Sequence, residues 1–204
     1  VLKANDDIYC CVSIASHAFE CIGISNGMIA KTGAISSISF DLSGKINTTT
    51  VNDTTPIGIC GAGIIDAIAT YLELSKIDDN WKLKNNDKIT ISDEIFITQR
   101  DINEVKRAKL SVYEGILNII DYAGITLDNI DEVLIANTFG TKINPSSACQ
   151  IGLIPKELLN RTKAIGHAAG LGASQILLKP YEIDRLQDLA DKCKYIELAE
   201  AIHN

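Results

Sequence analysis

Three things that this 204-residue sequence lacks exclude whole classes of function. Basic residues are few: 19 Lys and Arg stand against 26 Asp and Glu, and a net charge of −7 argues against a nucleic-acid-binding surface. No apolar run approaches the roughly 20 residues that span a bilayer, and no signal peptide is visible. The six cysteines include no Cys-x-x-Cys pair, which argues against a zinc site or a disulfide framework. We therefore expect a cytoplasmic protein with reduced thiols, without membrane or nucleic-acid contacts.

Two consecutive stretches of the sequence read as a buried strand, a loop of small residues and a helix. In the first, residues 133–136 form a short apolar run, as in a parallel strand that is covered on both faces. Asn137, Thr138 and Gly140 follow this run and leave room for a ligand to approach the backbone. The second stretch covers residues 164–174. Because ligands of open α/β sheets lie beyond the carboxyl ends of strands, the two units predict a site for a nucleotide or another flat ligand.

The longest predicted helix runs from a capping box at Thr98 to Ala123, and Gly124 ends it. Its apolar positions recur at steps of three and four, so we expect one face to be core. These positions are Ile102, Val105, Val112, Ile116, Ile119 and Ile120.

The remaining elements predict an α/β fold with a mixed sheet flanked by helices, in a single lobe over residues 1–204. A helix follows the glycines at positions 58, 61 and 63, and the polar stretch at residues 76–93 reads as an exposed excursion with a short strand at 89–91. The other expected strands lie at residues 8–14, 35–40, 45–51 and 194–198, and a last helix lies at 182–192.

Five segments together resemble one known family. They are AFE (18–20), similar to a family loop A-G-P-A-F-E-G; GICGAGIIDAIA (58–69); ITQRDINEVKRAK (97–109); the apolar run with its loop (133–140), similar to an adenosine motif; and IGHAAGLGA (165–173). In this order they resemble the carboxy-terminal nucleotide-binding lobe of the reductive activators of corrinoid proteins. That family belongs to the superfamily of acetate and sugar kinases, heat-shock chaperones and actin.

The resemblance implies a lobe of the ribonuclease H-like, actin-like ATPase fold and a fragment of a longer chain. The longer protein would couple ATP turnover to the reduction of cob(II)alamin to the cob(I) state on a corrinoid protein, its partner. ATP or ADP with Mg²⁺ would bind together with an upstream lobe, and an iron–sulfur cluster would belong to a separate domain. The resemblance leaves room for a homodimer.

The resemblance also assigns site residues, each with an ordinary structural alternative. Asn137, Thr138, Phe139 and Gly140 would contact the nucleotide, although Phe139 is equally suited to a core. Lys109 would contact adenosine or ribose, or else lie on a solvated helix face.

The other candidates line or complete the same pocket. Gly61 and Gly63 would form a turn near phosphate, or allow close helix–strand packing. Gly166 and Gly170 would support the adenosine pocket. Glu20 is the catalytic candidate and would assist the water shell of a magnesium ion or a single water. Its ordinary alternative is to cap a helix. We expect no metal site at the histidines, because no ligand stands near them at suitable spacing.

Departures from the family pattern leave two alternatives open. Ser16 and His17 replace Gly-Pro, Cys21 replaces a glycine, and Asn137 replaces a glycine of the adenosine motif. The two Asp-Gly-Thr loops that hold phosphate and magnesium are not found, so this chain alone is not expected to hydrolyse ATP. The first alternative is a degenerate, non-catalytic paralogue used for binding or assembly. The second is an activator of a 2-hydroxyacyl-CoA dehydratase, which would need a cysteine pair for a bridging cluster.

Overall fold

Strands come first along the chain, and helices alternate with strands after them. The computed structural model describes residues 1–11, 16–84, 87–92, 94–136 and 142–197. The strands are β1 (Leu2–Ala4), β2 (Asp7–Cys10), β3 (Ala34–Phe40), β4 (Ile46–Thr50), β5 (Gly58–Ile59), β6 (Lys88–Ser92), β7 (Ile95–Thr98), β8 (Val133–Ala136), β9 (Thr162–Gly166) and β10 (Cys193–Tyr195). The helices are α1 (Gly61–Glu73), α2 (Gln99–Tyr122), α3 (Pro145–Gln150), α4 (Ala168–Leu178) and α5 (Ile183–Asp191). Short 3-10 helices cover Ser16–Glu20, Val51–Asp53, Leu127–Asn129, Lys156–Arg161 and Pro180–Glu182.

The expected strands at residues 35–40 and 45–51 are confirmed as β3 and β4, which pair antiparallel as a hairpin. Its turn is held by Asp41, whose Oδ1 accepts hydrogen bonds from the Ser43 and Lys45 backbone N–H groups at 2.8 and 3.0 Å. Gly44 has a φ of 80°, a left-handed conformation that glycine adopts at no steric cost. On its other side β3 pairs parallel with β5, so β3 is the central strand of this sheet.

The capping box at the start of α2 is also confirmed. The Thr98 side chain accepts a hydrogen bond from the Asp101 N–H, and the Asp101 carboxylate accepts one from the Thr98 N–H at 2.8 Å. The same carboxylate accepts two further bonds, from the Thr98 hydroxyl and from the Ser25 N–H, both at 2.8 Å. Asp101 is 1% exposed, so these bonds replace the water that its charge would otherwise need. They also fasten the glycine-rich segment around Ser25 to the first turn of α2.

The strands of the two predicted strand–loop–helix units, β8 and β9, pair parallel with each other. β8 and β9 run side by side, with Val133 opposite Thr162 and Ala136 opposite Gly166. The helix of the first unit, α3, has a capped start: the Asn144 side chain accepts a hydrogen bond from the Ser146 N–H at 3.0 Å, and Pro145 occupies the first helical position. The helix of the second unit is α4, directly after β9.

The core is centred on α1, whose residues from Gly61 to Tyr71 are all buried. This helix packs against β3 on one side and α3 on the other, and against the 3-10 helix Ser16–Glu20. Its sequence carries three isoleucines and five alanines or glycines in this stretch, which suits a helix surrounded by other elements.

The predicted fold class, α/β with mixed strands flanked by helices, is confirmed. One difference is that the strands of the described ranges form four small sheets, ordered β1-β2-β10, β4-β3-β5, β6-β7 and β8-β9. β10 pairs parallel with β2, which brings residues 193–195 beside residues 8–10. None of the helices in the described residues combines the length and apolar character that a membrane span requires.

Tyr71 supplies a test of this core. Its side chain is fully buried, and its hydroxyl finds no hydrogen-bond partner within the described residues. We expect Tyr71→Phe to raise the free energy of unfolding by about 1 kcal/mol, because an unsatisfied buried hydroxyl is removed. Urea unfolding at neutral pH measures the change, and Tyr195→Phe, at an exposed position, serves as the control.

The same residue makes the stability depend on pH. Burial raises the pKa of Tyr71 to about 12 from its ordinary value of 10.0, so the unfolded chain loses this proton first as pH rises. Ionisation of Tyr71 therefore leaves the free energy of unfolding unchanged below pH 10. It lowers that free energy as pH rises from 10 through about 12. Tyr71→Phe should flatten this part of the stability profile; an unchanged profile would contradict the assignment.

Candidate functional site

The carboxyl ends of β8 and β9 meet at one edge of their sheet, where the sequence predicts the ligand. Ala136, the last residue of β8, lies opposite Gly166, the last residue of β9. Gly166 has a φ of 68°, so it turns the chain sharply before α4 begins at Ala168. The predicted contacts Asn137, Thr138, Phe139 and Gly140 follow Ala136 directly and lie outside the described residues.

Gly170 lies in the first turn of α4, close to this edge. A Cβ built on it would meet only the Cβ of His167, at 4.0 Å. No close packing therefore requires a glycine here, and the absence of a side chain leaves space beside the strand ends. Gly166 ends β9 and Gly170 follows four residues later on α4, and their predicted place in a shared pocket stays a prediction.

Lys109 extends from the middle of α2 into a half-buried position. Its Nζ lies 5.6 Å from the centroid of the Trp81 ring and 3.1 Å from where a Cβ on Gly152 would stand. Burial lowers the pKa of the Lys109 ammonium, and the charge of Lys106 adds to this effect. No carboxylate forms a salt bridge with Lys109 within the ranges that the structure describes. A partly desolvated cation without a carboxylate partner in the described ranges suits a polar or anionic ligand.

A loop around Trp81 positions Lys109. The Gln99 side chain donates a hydrogen bond to the Trp81 carbonyl and accepts one from the Leu83 N–H, both at 2.8 Å. Lys106 donates to the Asn80 carbonyl at 3.2 Å. These bonds join the loop to the first two turns of α2, so the ring is fixed beside the lysine.

The prediction that residues 76–93 form an exposed excursion is wrong at Ile77 and Trp81, which are 2% and 8% exposed. Because most residues of the stretch are polar, its overall composition does not indicate that these two side chains are buried. The available signal was the chain's single tryptophan, because large aromatic side chains are rarely left in water. The expected short strand of this stretch is confirmed as β6.

Gly63 lies where α1 crosses β3, and its surroundings explain it without a ligand. A Cβ on Gly63 would lie 2.2 Å from the Ile35 carbonyl oxygen and 3.0 Å from the Ile59 Cγ1. Only glycine allows this approach, so the packing alternative accounts for Gly63. Gly61 is the buried first residue of α1, and its predicted place near phosphate stays a prediction.

Glu20 ends the 3-10 helix Ser16–Glu20, with an exposed carboxylate. The two residues before it, Ala18 and Phe19, are buried and anchor the segment. Cys21 follows with a φ of 63°, a conformation that favours glycine, and burial raises the pKa of its thiol to about 11. The backbone thus keeps a glycine-like turn although a cysteine stands there. The 3-10 helix that Glu20 ends packs against α2, the helix that carries Lys109.

The chemistry of these residues suits part of a nucleotide site. Small residues and strand ends accept a flat ligand, and Lys109 supplies positive charge. Within the described ranges, no three His, Cys, Asp or Glu side chains are grouped to hold a metal ion. Contacts of these residues with adenosine or ribose, and a role of Glu20 near a hydrated Mg²⁺, stay predictions.

Comparison with known proteins finds one family and several relatives. A family model described as the C-terminal domain of RACo, the ASKHA domain, matches residues 1–203. The corrinoid activation enzyme RamQ of Eubacterium limosum is 30% identical over 221 residues, covering 95% of this chain and 37% of RamQ. The [Co(II) methylated amine-specific corrinoid protein] reductase of Methanosarcina barkeri is 23% identical, covering 94% of this chain and 39% of the reductase.

A solved structure is similar over most of the chain. It is a reductive activator for corrinoid, iron-sulfur protein, with a TM-score of 0.82 and 31% sequence identity. The match covers 90% of this chain and 33% of the activator. The chain thus spans between a third and two fifths of the length of these three relatives.

Proposed function

The chain belongs to the family of C-terminal domains of RACo, the ASKHA domain, and from this membership we propose that it is the nucleotide-binding lobe of an ATP-dependent reductive activator of a corrinoid protein. The lobe is one part of a longer polypeptide in this proposal, since the chain covers 37% of RamQ and 33% of the solved activator. The longer protein would reduce cob(II) to cob(I) on its partner, with electrons from an iron–sulfur domain outside this chain.

The observation that carries the proposal is the meeting of β8 and β9 at their carboxyl ends. Ala136 and Gly166 stand side by side there, and Gly170 adds no bulk. A ligand in such a crevice lies against main chain, as nucleotides do in open α/β sheets. In the proposal, Asn137, Thr138, Phe139, Gly140, Gly166 and Gly170 all contact the adenosine.

Lys109 and Glu20 have separate roles in the proposal. Lys109 binds and orients the nucleotide, because its ammonium is half-buried and carries no salt bridge in the described ranges. Glu20 lies exposed on its own loop and orients water or a magnesium shell. When bound, ATP supplies the free energy of hydrolysis that an uphill one-electron transfer requires. The remaining phosphate and magnesium contacts are assigned to the upstream lobe.

The relatives favour the corrinoid assignment over the dehydratase alternative, because all three are corrinoid activators or reductases by name. All six cysteines are free thiols, which supports a reducing compartment such as the cytoplasm. We also propose that the longer polypeptide forms a homodimer, which its sedimentation velocity tests.

Nucleotide-dependent stabilisation tests the proposal. The longer polypeptide is unfolded by heat with ATP or ADP, with and without Mg²⁺. At a concentration of 100 times the dissociation constant, a nucleotide that binds only the folded state adds about 2.7 kcal/mol of stability. No shift with either nucleotide would contradict the proposal and favour a paralogue that has kept the fold for binding or assembly alone.

A further inference from the structure

The buried carboxylate of Asp101 connects two segments that lie 76 positions apart in the sequence. Its Oδ2 accepts hydrogen bonds from the N–H and the hydroxyl of Thr98, both at 2.8 Å. Its Oδ1 accepts a bond from the Ser25 N–H at the same distance. The cap of α2 uses only Oδ2, so the bond from Ser25 is additional to helix capping.

The segment around Ser25 has a backbone that needs such bonds. Cys21 and Asn26 have φ values of 63° and 54°, which side chains other than glycine rarely adopt and which surrounding contacts must hold in place. The Asn26 Oδ1 accepts a hydrogen bond from the Phe96 N–H of β7 at 3.1 Å, and the Asn26 carbonyl accepts one from the Ile59 N–H of β5 at 2.9 Å. Three elements therefore hold this segment: α2, β7 and β5.

Glu20 directly precedes the same segment. Its carboxylate is exposed, whereas the side chains of its two neighbours, Phe19 and Cys21, are buried. Ile24, between Glu20 and Ser25, is also buried in the core. The backbone of Glu20 is thus fixed on both sides, and its position depends on where the segment around Ser25 is held.

The helix that Asp101 begins also carries the other charged candidate of the site. Lys109 follows Asp101 by eight residues, which corresponds to about 12 Å along the axis of α2. Because an α-helix is rigid over this length, the bond from Ser25 to Asp101 relates the position of Glu20 to that of Lys109.

We propose that Asp101 is a positioning residue of the nucleotide site, which fixes Glu20 relative to Lys109 through the Ser25 N–H, with Asn26 as a second tie. The inference rests on the proposed function, in which Glu20 orients water or a magnesium shell. Asp101 itself does not contact the nucleotide. A displacement of about 1 Å at a reacting group costs up to about 100-fold in rate, so loss of this bond lowers kcat more than it changes KM.

Amide hydrogen exchange in the longer polypeptide without nucleotide tests the tie itself. Asp101→Asn keeps one acceptor oxygen, which the two donors of Thr98 attract, so the new NH₂ group faces the Ser25 N–H and that bond is lost. Thr98→Val is the matched control, because it weakens the same cap and keeps the bond from Ser25. We expect the Ser25 amide to exchange at least about tenfold faster in Asp101→Asn than in Thr98→Val. Equal exchange in the two variants would overturn the proposal.

Steady-state ATP hydrolysis by the same two variants tests the positioning role, at a temperature at which both are folded. We expect kcat to fall about 10- to 100-fold in Asp101→Asn with KM changed less than about threefold, and kcat of Thr98→Val to stay within about twofold. Equal kcat values would overturn the positioning role, since a loss of helix capping alone would affect both variants. Absence of hydrolysis by the unaltered polypeptide would instead overturn the proposed function, and the positioning role with it.

Substitutions of Asn26 test the second tie and do not alter the cap of α2. Asn26 is exposed, so these variants also test the proposal if Asp101→Asn does not fold. Asn26→Gly keeps the left-handed backbone and removes the acceptor for the Phe96 N–H, whereas Asn26→Asp keeps an acceptor. We expect kcat to fall about threefold or more in Asn26→Gly and to stay within about twofold in Asn26→Asp. An unchanged kcat in Asn26→Gly, or equal losses in both variants, would overturn the role of this tie.

Discussion

Replacing Lys109 by methionine is expected to weaken nucleotide binding by the longer polypeptide about 10- to 150-fold. The reason is the loss of a charge-assisted hydrogen bond, which contributes about 1.5–3 kcal/mol when its partner is left unpaired. Methionine keeps the apolar length of the side chain beside Trp81 and Gly152, so the packing of α2 is preserved. Isothermal titration with ATP and ADP measures the change.

Arg107→Met is the matched control, on the exposed face of α2. Arg107 pairs with Glu104 at the surface, so we expect less than a twofold change in nucleotide affinity. The free energy of unfolding without nucleotide should not fall in Lys109→Met by more than the small cation–π contribution, about 0.5–1 kcal/mol. Equal loss of binding in the two variants would contradict the role of Lys109.

Replacing Gly63 by alanine is expected to cost about 3 kcal/mol of folding free energy or more, at the upper end of what overpacking costs. The added Cβ would lie 2.2 Å from the Ile35 carbonyl oxygen and 2.9 Å from the Ile35 carbonyl carbon, both backbone atoms of the central strand β3. Neither can move without displacing β3, and α1 cannot retreat because it is surrounded by core. Urea unfolding measures the loss.

Gly172→Ala is the control for this substitution. Gly172 is also helical, but a Cβ there meets nothing within 4 Å. We expect Gly172→Ala to stabilise the protein by up to about 1 kcal/mol, because alanine favours the helix. A small loss in Gly63→Ala, comparable to the change at Gly172, would mean that α1 and β3 are not as close as described.

Local patterns predicted much of this fold because their causes are local. The capping box of α2 depends on two side chains three residues apart, and the β3–β4 turn depends on Asp41 and Gly44. The strand–loop–helix units were found for the same reason: apolar runs, small residues and a proline lie in adjacent positions.

The parts that escaped prediction depend on residues far apart in sequence. Trp81 is buried because Gln99, 18 positions later, binds its carbonyl and Lys109 packs on its ring. The need for glycine at position 63 arises from Ile35, on another element. The glycine-rich turn of α1 matched the family pattern, but the pattern alone does not separate a packing glycine from a phosphate contact.

The absorbance of cob(I) on an oxidised corrinoid protein tests the proposed function most directly. The corrinoid protein is incubated with the longer polypeptide, and ATP and a reductant are supplied separately and together. We expect cob(I) to form only when both are present, and more slowly with Lys109→Met at limiting ATP. Formation of cob(I) at the same rate without ATP, or none with both, would contradict an ATP-coupled activator.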